Sequence, residues 1–149
     1  MGRLAVKVFV DTSVLVAGCV RLHPHFARAH PVLAAAGAKA NEFLISAHSL
    51  AEVYAVLTTL PVQPRIVPTE ARLIIGTNIV PHFRRVAVTA KLYESAVARC
   101  AEWGVAGGVV YDALLLECAR SARADRIYTF NTRDFQRLAP DLAGRIAAP

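Results

Sequence analysis

Val6-Lys7-Val8-Phe9-Val10-Asp11-Thr12-Ser13 is the stretch of this sequence that decides the fold. Its first five residues are β-branched or aromatic apart from one lysine, a composition that predicts a buried strand. One acid and two hydroxyl residues follow at once, and an apolar, helix-like run begins at Val14. In open α/β sheets, ligands bind just beyond the carboxyl ends of the strands. Asp11, Thr12 and Ser13 are therefore candidate functional residues.

Strand-like and helix-like segments alternate along the rest of the chain. Three further strands are predicted at residues 42–46, 85–88 and 126–130. The helical stretch after the first strand is expected to break near Pro24 and again near Pro31, because proline removes a backbone donor. The repeated β–α order implies a mostly parallel sheet with helices on both faces. No domain boundary is visible, so residues 1–149 are interpreted as one domain.

Composition narrows the class of protein. Seventeen Lys and Arg against eleven Asp and Glu give a net charge of +6, which favours contact with the phosphates of RNA or DNA. The longest early uncharged run, 12–20, is too short to cross a membrane, and Asp11 would interrupt the apolar segment of a signal peptide. We therefore expect a cytoplasmic protein without membrane contact, with three reduced cysteines. Its 55% apolar residues suggest a subunit interface.

Three later acids, Glu52, Asp112 and Asp134, stand in settings comparable to that of Asp11. Carboxylates from several segments can hold Mg²⁺ or Mn²⁺, which prefer hard oxygen ligands. Two such ions can activate water and stabilise the leaving oxygen of a phosphodiester. Without a cation, crowded carboxylates repel one another and their pKa values rise. The four acids together predict a metal-binding cluster.

Each acid also has a structural alternative. Asp11 is placed to cap the helix that follows it, and Asp112 is placed to cap or favour the start of another. Glu52 fits a capping box with Ser49 as the N-cap. Asp134 fits a solvated turn beside Arg133. The sequence leaves these alternatives open. The four acids together support a metal-binding cluster more strongly than any one of them does alone.

With these residues in order, the chain resembles the PIN domain, and more narrowly the VapC-type toxins. VapC-type toxins are the ribonuclease half of bacterial type II toxin–antitoxin pairs. The resemblance spans nearly the whole chain. It is carried by Val10-Asp11-Thr12-Ser13, Ser49-Leu50-Ala51-Glu52-Val53-Tyr54, Tyr111-Asp112-Ala113-Leu114-Leu115 and Thr129-Phe130-Asn131-Thr132-Arg133-Asp134-Phe135.

The resemblance implies an α/β/α sandwich and an endoribonuclease that depends on Mg²⁺ or Mn²⁺. The implied substrate is structured cellular RNA, either tRNA or rRNA, and the implied inhibitor is a cognate VapB-type antitoxin. A basic antitoxin side chain, such as arginine, would pair with the carboxylates. A homodimer is expected from the family and from the apolar surplus.

The resemblance also implies roles for individual residues. By position, Asp11, Glu52 and Asp112 match the family's first three acids, and Asp134 is the candidate for the fourth. Asn131 is an alternative for the inner position, with Asp134 then reaching the metal only through water. Thr12 or Ser13 would match the hydroxyl that supports the metal or the scissile phosphate.

Two other classes of protein compete with this interpretation. A phosphoaspartate phosphatase or receiver would phosphorylate Asp11, but the phosphatase pattern needs an acid where Ser13 stands, and a receiver needs a lysine where Asn131 follows the last predicted strand. A non-catalytic RNA-binding module would be marked by loss of the acids, and all four are present. His23 and His25, separated by Pro24, are interpreted as loop histidines rather than metal ligands.

Overall fold

The computed structural model describes residues 5–149 and contains a five-stranded sheet. Its strands are β1 (Lys7–Val10), β2 (Glu42–Ser46), β3 (Arg84–Val86), β4 (Arg126–Tyr128) and β5 (Ile146–Ala147). Their spatial order is β3-β2-β1-β4-β5, and every neighbouring pair is parallel. The connections are helical, as parallel strands require.

Within residues 5–149, seven α-helices cover the two faces of this sheet. They are α1 (Thr12–Cys19), α2 (Phe26–Ala38), α3 (His48–Thr59), α4 (Pro68–Asn78), α5 (Ala90–Trp103), α6 (Val109–Ser121) and α7 (Thr132–Leu138), followed by a 3₁₀ helix (Pro140–Arg145). None of the helices among residues 5–149 is long and apolar enough to cross a membrane.

The core lies in two layers because successive strand residues point to opposite faces. Val8 and Val10 of β1 pack in one cluster with α1–α4. Phe9 packs in the other, with Leu115 of α6 and Phe135 of α7. Both clusters are closed to solvent, so the predicted α/β fold with a parallel sheet between helical layers is confirmed.

Some predicted details are wrong. Pro31 lies inside α2 and does not break it: this proline is exposed, while Ala29, Val32, Leu33 and Ala36 keep the opposite face buried. The last two predicted strands are shorter than expected and end at Val86 and Tyr128. Strand β5 was missed because a two-residue strand carries no detectable alternation.

The topology sets where the functional residues lie. Strands β1 and β4 are neighbours, and the backbone NH of Asp11 continues their pairing by donating to the carbonyl of Tyr128 at 2.9 Å. Residues 11–13 and 129–131 therefore leave the sheet side by side. All three cysteines are free thiols; Cys100 and Cys118 are buried and Cys19 is half-buried.

Candidate active site

Asp11 lies directly beyond β1 and is only 5% exposed. It occupies the N-cap position of α1, but its carboxylate makes no capping hydrogen bond. Instead, Oδ2 accepts hydrogen bonds from Ser13 Oγ at 2.7 Å and from Thr129 Oγ1 at 2.8 Å. Burial raises the pKa of Asp11, and these hydrogen bonds oppose the rise. Asp11 thus holds the N-cap position that the structural alternative predicted, but its carboxylate bonds the two hydroxyls and does not make the capping bond.

The two hydroxyl residues after Asp11 have different neighbours. Thr12 Oγ1 lies 2.9 Å from Ser49 Oγ in a buried contact that joins α1 to α3. Ser13 Oγ bonds the Asp11 carboxylate and also accepts the backbone NH of Phe130 at 3.3 Å. Ser13 therefore positions the acid directly, whereas Thr12 positions the helix that carries Glu52.

Glu52 lies one turn into α3 and faces Asp11. The helix begins at His48 with Ala47 in the N-cap position, so the capping box predicted for Ser49 and Glu52 is absent. Oε1 of Glu52 is buried without a hydrogen-bond partner, and the His48 ring nitrogen is 3.7 Å away. Burial, and then the charge of Asp11, raise the pKa of Glu52.

Asp112 enters from the first turn of α6. Gly108 holds the N-cap position of that helix, so Asp112 is not its cap. Its Oδ2 accepts a hydrogen bond of 3.1 Å from the side-chain amide of Asn131. Burial raises the pKa of Asp112 to about 6, followed by the charges of Asp11, Asp134 and Glu52, while the bond from Asn131 lowers it. The acids are thus close enough for their charges to interact.

Asn131 and Asp134 are placed differently around these acids. Asn131, between β4 and α7, faces the same cavity as Asp112. The side chain of Asp134 is 43% exposed and lies 3.5 Å from Arg137 Nη2. Asp134 does not line the cavity, although its charge still acts on Asp112.

The cavity between these segments measures about 400 Å³. Its polar lining comes from three carboxylates, two hydroxyls, two imidazoles and an amide. The residues that line it are Asp11, Thr12, Ser13, Val16, His23, His25, Glu52, Val56, Leu60, Asp112, Phe130 and Asn131. In the part of the chain that the structure describes, no lysine or arginine lines it.

Sequence reasoning missed three contributors to this site. Thr129 is buried and bonds Asp11; its signal was a hydroxyl near the end of the last predicted strand, 126–130. His23 and His25 lie in the loop between α1 and α2, as expected, but both line the cavity that the acids line. The contact of His25 with Phe130 could not be predicted from sequence positions more than 100 residues apart.

The donor set suits a hard divalent cation. Burial raises the pKa values of Asp11, Glu52 and Asp112, and neighbouring carboxylates add to the rise at Glu52 and Asp112; a cation beside these groups would oppose both effects. No three His, Cys, Asp or Glu side chains among residues 5–149 are close enough to hold an ion by themselves. Mg²⁺ commonly binds one or two carboxylates and keeps several waters, so the arrangement fits such an ion.

Comparison with known proteins gives a consistent result. The PIN domain family model matches residues 8–140. Ribonuclease VapC27 of Mycobacterium tuberculosis is 35% identical over 117 residues, which are 78% of this chain and 79% of that protein. The crystal structure of M. tuberculosis VapC20, a sarcin-ricin loop cleaving toxin, has a TM-score of 0.69 at 21% identity and covers 85% of this chain and 92% of its own. VapBC2 from Rickettsia felis, bound to promoter DNA, has a TM-score of 0.64 at 18% identity, with 89% and 93% covered.

Proposed function

Because this chain belongs to the PIN domain family and to its VapC-type ribonucleases, we propose that it cleaves RNA with one or two divalent cations held between Asp11, Glu52 and Asp112. The chain is a PIN-domain endoribonuclease of the toxin type. Beyond this ribonuclease activity, we propose the metal, the residues that hold it and the class of RNA that is cleaved.

One observation supports the metal above the others. Three carboxylates from separate segments line one cavity, and Oε1 of one of them, Glu52, is buried without a hydrogen-bond partner. A buried acceptor without a donor costs about 1–3 kcal/mol. A cation between these side chains would remove that cost and the mutual repulsion together. Bound there, a divalent cation supplies activation of water and stabilisation of the leaving oxygen.

The residues around the acids hold them in place. Ser13 and Thr129 fix one oxygen of Asp11, and Asn131 fixes one oxygen of Asp112. Val16, Val56 and Leu60 line the cavity beside them, and their apolar surface strengthens electrostatic interactions by excluding water. Asp134 acts from outside the cavity, through its charge or through water.

The site favours the nuclease over the phosphoaspartate alternative. A carboxylate that is 5% exposed and already bonded by two hydroxyls is poorly placed to carry a phosphoryl group. The acids instead surround an open cavity, where a phosphodiester and a cation can both enter.

For the substrate, we infer structured cellular RNA, either tRNA or rRNA. The net charge of +6 supports a polyanionic partner. VapC20, which shares the fold, acts on the sarcin-ricin loop. An antitoxin partner is supported by the toxin–antitoxin complexes among the structural neighbours. The proposed antitoxin is VapB-like and inserts a basic side chain among the acids.

A homodimer in the cytoplasm completes the proposal. Tyr93, Val97 and Trp103 of α5 are each at least 46% exposed, and we infer that this helix contributes apolar side chains to the dimer interface. Light scattering of the purified, antitoxin-free protein gives the oligomeric state. A monomer at all concentrations would contradict this part of the proposal.

The test is incubation of total cellular RNA with the purified protein, free of antitoxin, in Mg²⁺, in Mn²⁺ and in EDTA. We expect discrete fragments that require the metal and disappear with Asp112→Asn or Glu52→Gln. Glu102→Gln is the matched control, because Glu102 is an exposed acid on α5 away from the cavity. Intact RNA in every condition, with folded protein, would refute the assignment, whereas cleavage that persists in EDTA would refute the metal.

A further inference from the structure

Besides the acids, three flat rings line the cavity. The His25 imidazole stacks on the ring of Phe130, with centroids 4.6 Å apart and planes inclined by 23°. The His23 imidazole lies 5.8 Å from that of His25. We call His23, His25 and Phe130 the stacking wall. All three line the same cavity as the three carboxylates.

The stacking wall is held in place by contacts of its own. The backbone NH of His25 donates to His23 Nδ1 at 3.1 Å, which fixes the His23 ring. The backbone NH of Phe130 donates to Ser13 Oγ, the hydroxyl that bonds Asp11. The Arg28 guanidinium lies 5.3 Å from the centre of the Phe130 ring, and its Nε donates to the carbonyl of Pro149. The wall is therefore ordered relative to the acids.

The chemistry of the stacking wall differs from that of the acid side. It offers two imidazoles and a phenyl ring, whereas the acid side offers carboxylate oxygens. Packing alone does not explain His25, because this residue lines the cavity and remains exposed although it stacks on Phe130. Aromatic rings beside a cation are the usual platform for an unpaired base, whose flat face is free only outside a duplex.

We propose that the stacking wall holds the base of an unpaired nucleotide beside the scissile phosphate, so that the site selects RNA that is single-stranded at the cut. This inference rests on the proposed nuclease function and deepens it. The acids act on the phosphate, and the stacking wall positions the adjoining base. His25 is a positioning residue here, with no part in proton transfer.

Binding measured without cleavage tests the proposal. A fluorescein-labelled, single-stranded RNA of about 16 nucleotides, near the largest site of a small single-strand-binding domain, is titrated into the Asp112→Asn protein in Mg²⁺. The same strand annealed to its complement is titrated in parallel. Adding His25→Ala should weaken single-strand binding roughly 5- to 150-fold, the usual loss of one stacked base. Duplex binding should change little.

Two further variants separate stacking from other roles. His25→Phe keeps the flat ring and should retain single-strand affinity. His30→Ala removes an imidazole from α2 that stacks on Phe26 and does not line this cavity, so it should bind like the parent. In the otherwise wild-type protein, His25→Ala should raise KM for single-stranded RNA more than it lowers kcat.

The outcomes distinguish failure of the base-stacking proposal from failure of the proposed nuclease function. Three results would each overturn the proposal that the stacking wall holds a base. They are unchanged single-strand affinity in His25→Ala, equal losses of affinity for single strand and duplex in that variant, and failure of His25→Phe to bind the single strand. Any of these results leaves the nuclease assignment standing if the wild type still cuts RNA and Asp112→Asn does not. If the wild type cuts no RNA, the proposed function itself fails.

Discussion

The hydroxyl of Thr129 donates a 2.8 Å hydrogen bond to the carboxylate of Asp11, across 118 positions of sequence. Both residues are buried. Thr129 Oγ1 also accepts the backbone NH of Asn131 at 2.9 Å. One hydroxyl therefore ties the end of β4 to the acid beyond β1 and to the turn that carries Asn131 beside Asp112.

Replacing the hydroxyl of Thr129 should leave the carboxylate of Asp11 less firmly held. Thr129→Val keeps the shape but removes a donor from a buried carboxylate, so the pKa of Asp11 should rise further. We expect the free energy of unfolding to fall by about 1–3 kcal/mol and metal affinity or activity to fall about 10- to 100-fold. Denaturant unfolding and a Mg²⁺-dependent cleavage assay measure these changes. Thr129→Ser is the control that keeps the donor; equal behaviour of the two variants would contradict the role of the hydroxyl.

The contribution of Asp112 to the free energy of unfolding of the metal-free protein should be larger in acid than at neutral pH. Its pKa is about 6 in the folded protein against an ordinary value of 3.8, so folding favours the protonated form. The resulting stability is complete below about pH 4 and is lost as the pH rises through about 6.

Asp112→Asn removes that dependence. In EDTA at pH 7.5, the variant should be more stable than the wild type by about 1–2 kcal/mol, a value reduced for the partial solvent exposure of this side chain. At pH 4 the difference should nearly vanish. Thermal unfolding at the two pH values measures it. A variant that is less stable than the wild type at pH 7.5 would show that repulsion among the acids is unimportant.

Metal binding should stabilise the folded protein even in the absence of RNA. A ligand at about 100 times its Kd adds about 2.7 kcal/mol to the free energy of unfolding. We therefore expect Mg²⁺ or Mn²⁺ to raise the Tm by several degrees and EDTA to reverse the rise. Glu52→Gln should abolish most of the effect, whereas Glu102→Gln should not. An identical rise in both variants would indicate nonspecific binding of the cation.

Much of the fold was predictable because its signals are local. The first strand and the three residues after it indicate an α/β unit. The β–α alternation predicts a parallel sheet without any tertiary information. Local signals misled where tertiary packing outweighed them. Pro31 removes one backbone donor from α2, but that helix keeps four buried residues on its other face.

The site was predictable only in part, for the same reason. Asp11, Glu52 and Asp112 each follow a recognisable local pattern, and the structure places all three on one cavity. The partners of these acids are not local. Thr129, Asn131 and the stacking wall reach them through the pairing of β1 with β4 and through the loop before α2. No single segment of sequence carries that information.

Asn131 and Asp134 should differ in their effects on cleavage. Asn131 lines the cavity and bonds Asp112 directly, so Asn131→Ala should lower activity about 10- to 100-fold, as loss of a partner to a metal ligand usually does. Asp134 lies outside the cavity beside Arg137. Asp134→Asn should therefore change maximal activity only a few-fold, within the range of an exposed charge.

Asp134→Asn should instead shift the pH profile of cleavage. Its charge is one of the causes that raise the pKa of Asp112. Removing that charge should lower this pKa, so the acidic limb of the kcat/KM profile should move to lower pH. Arg137→Gln, which removes the cation beside Asp134, should move the limb the other way. If Asp134→Asn abolishes cleavage at every pH while Asn131→Ala stays active, Asp134 is the fourth ligand and Asn131 is only a spacer. That result would require the first turn of α7 to move toward the cavity when metal or RNA binds.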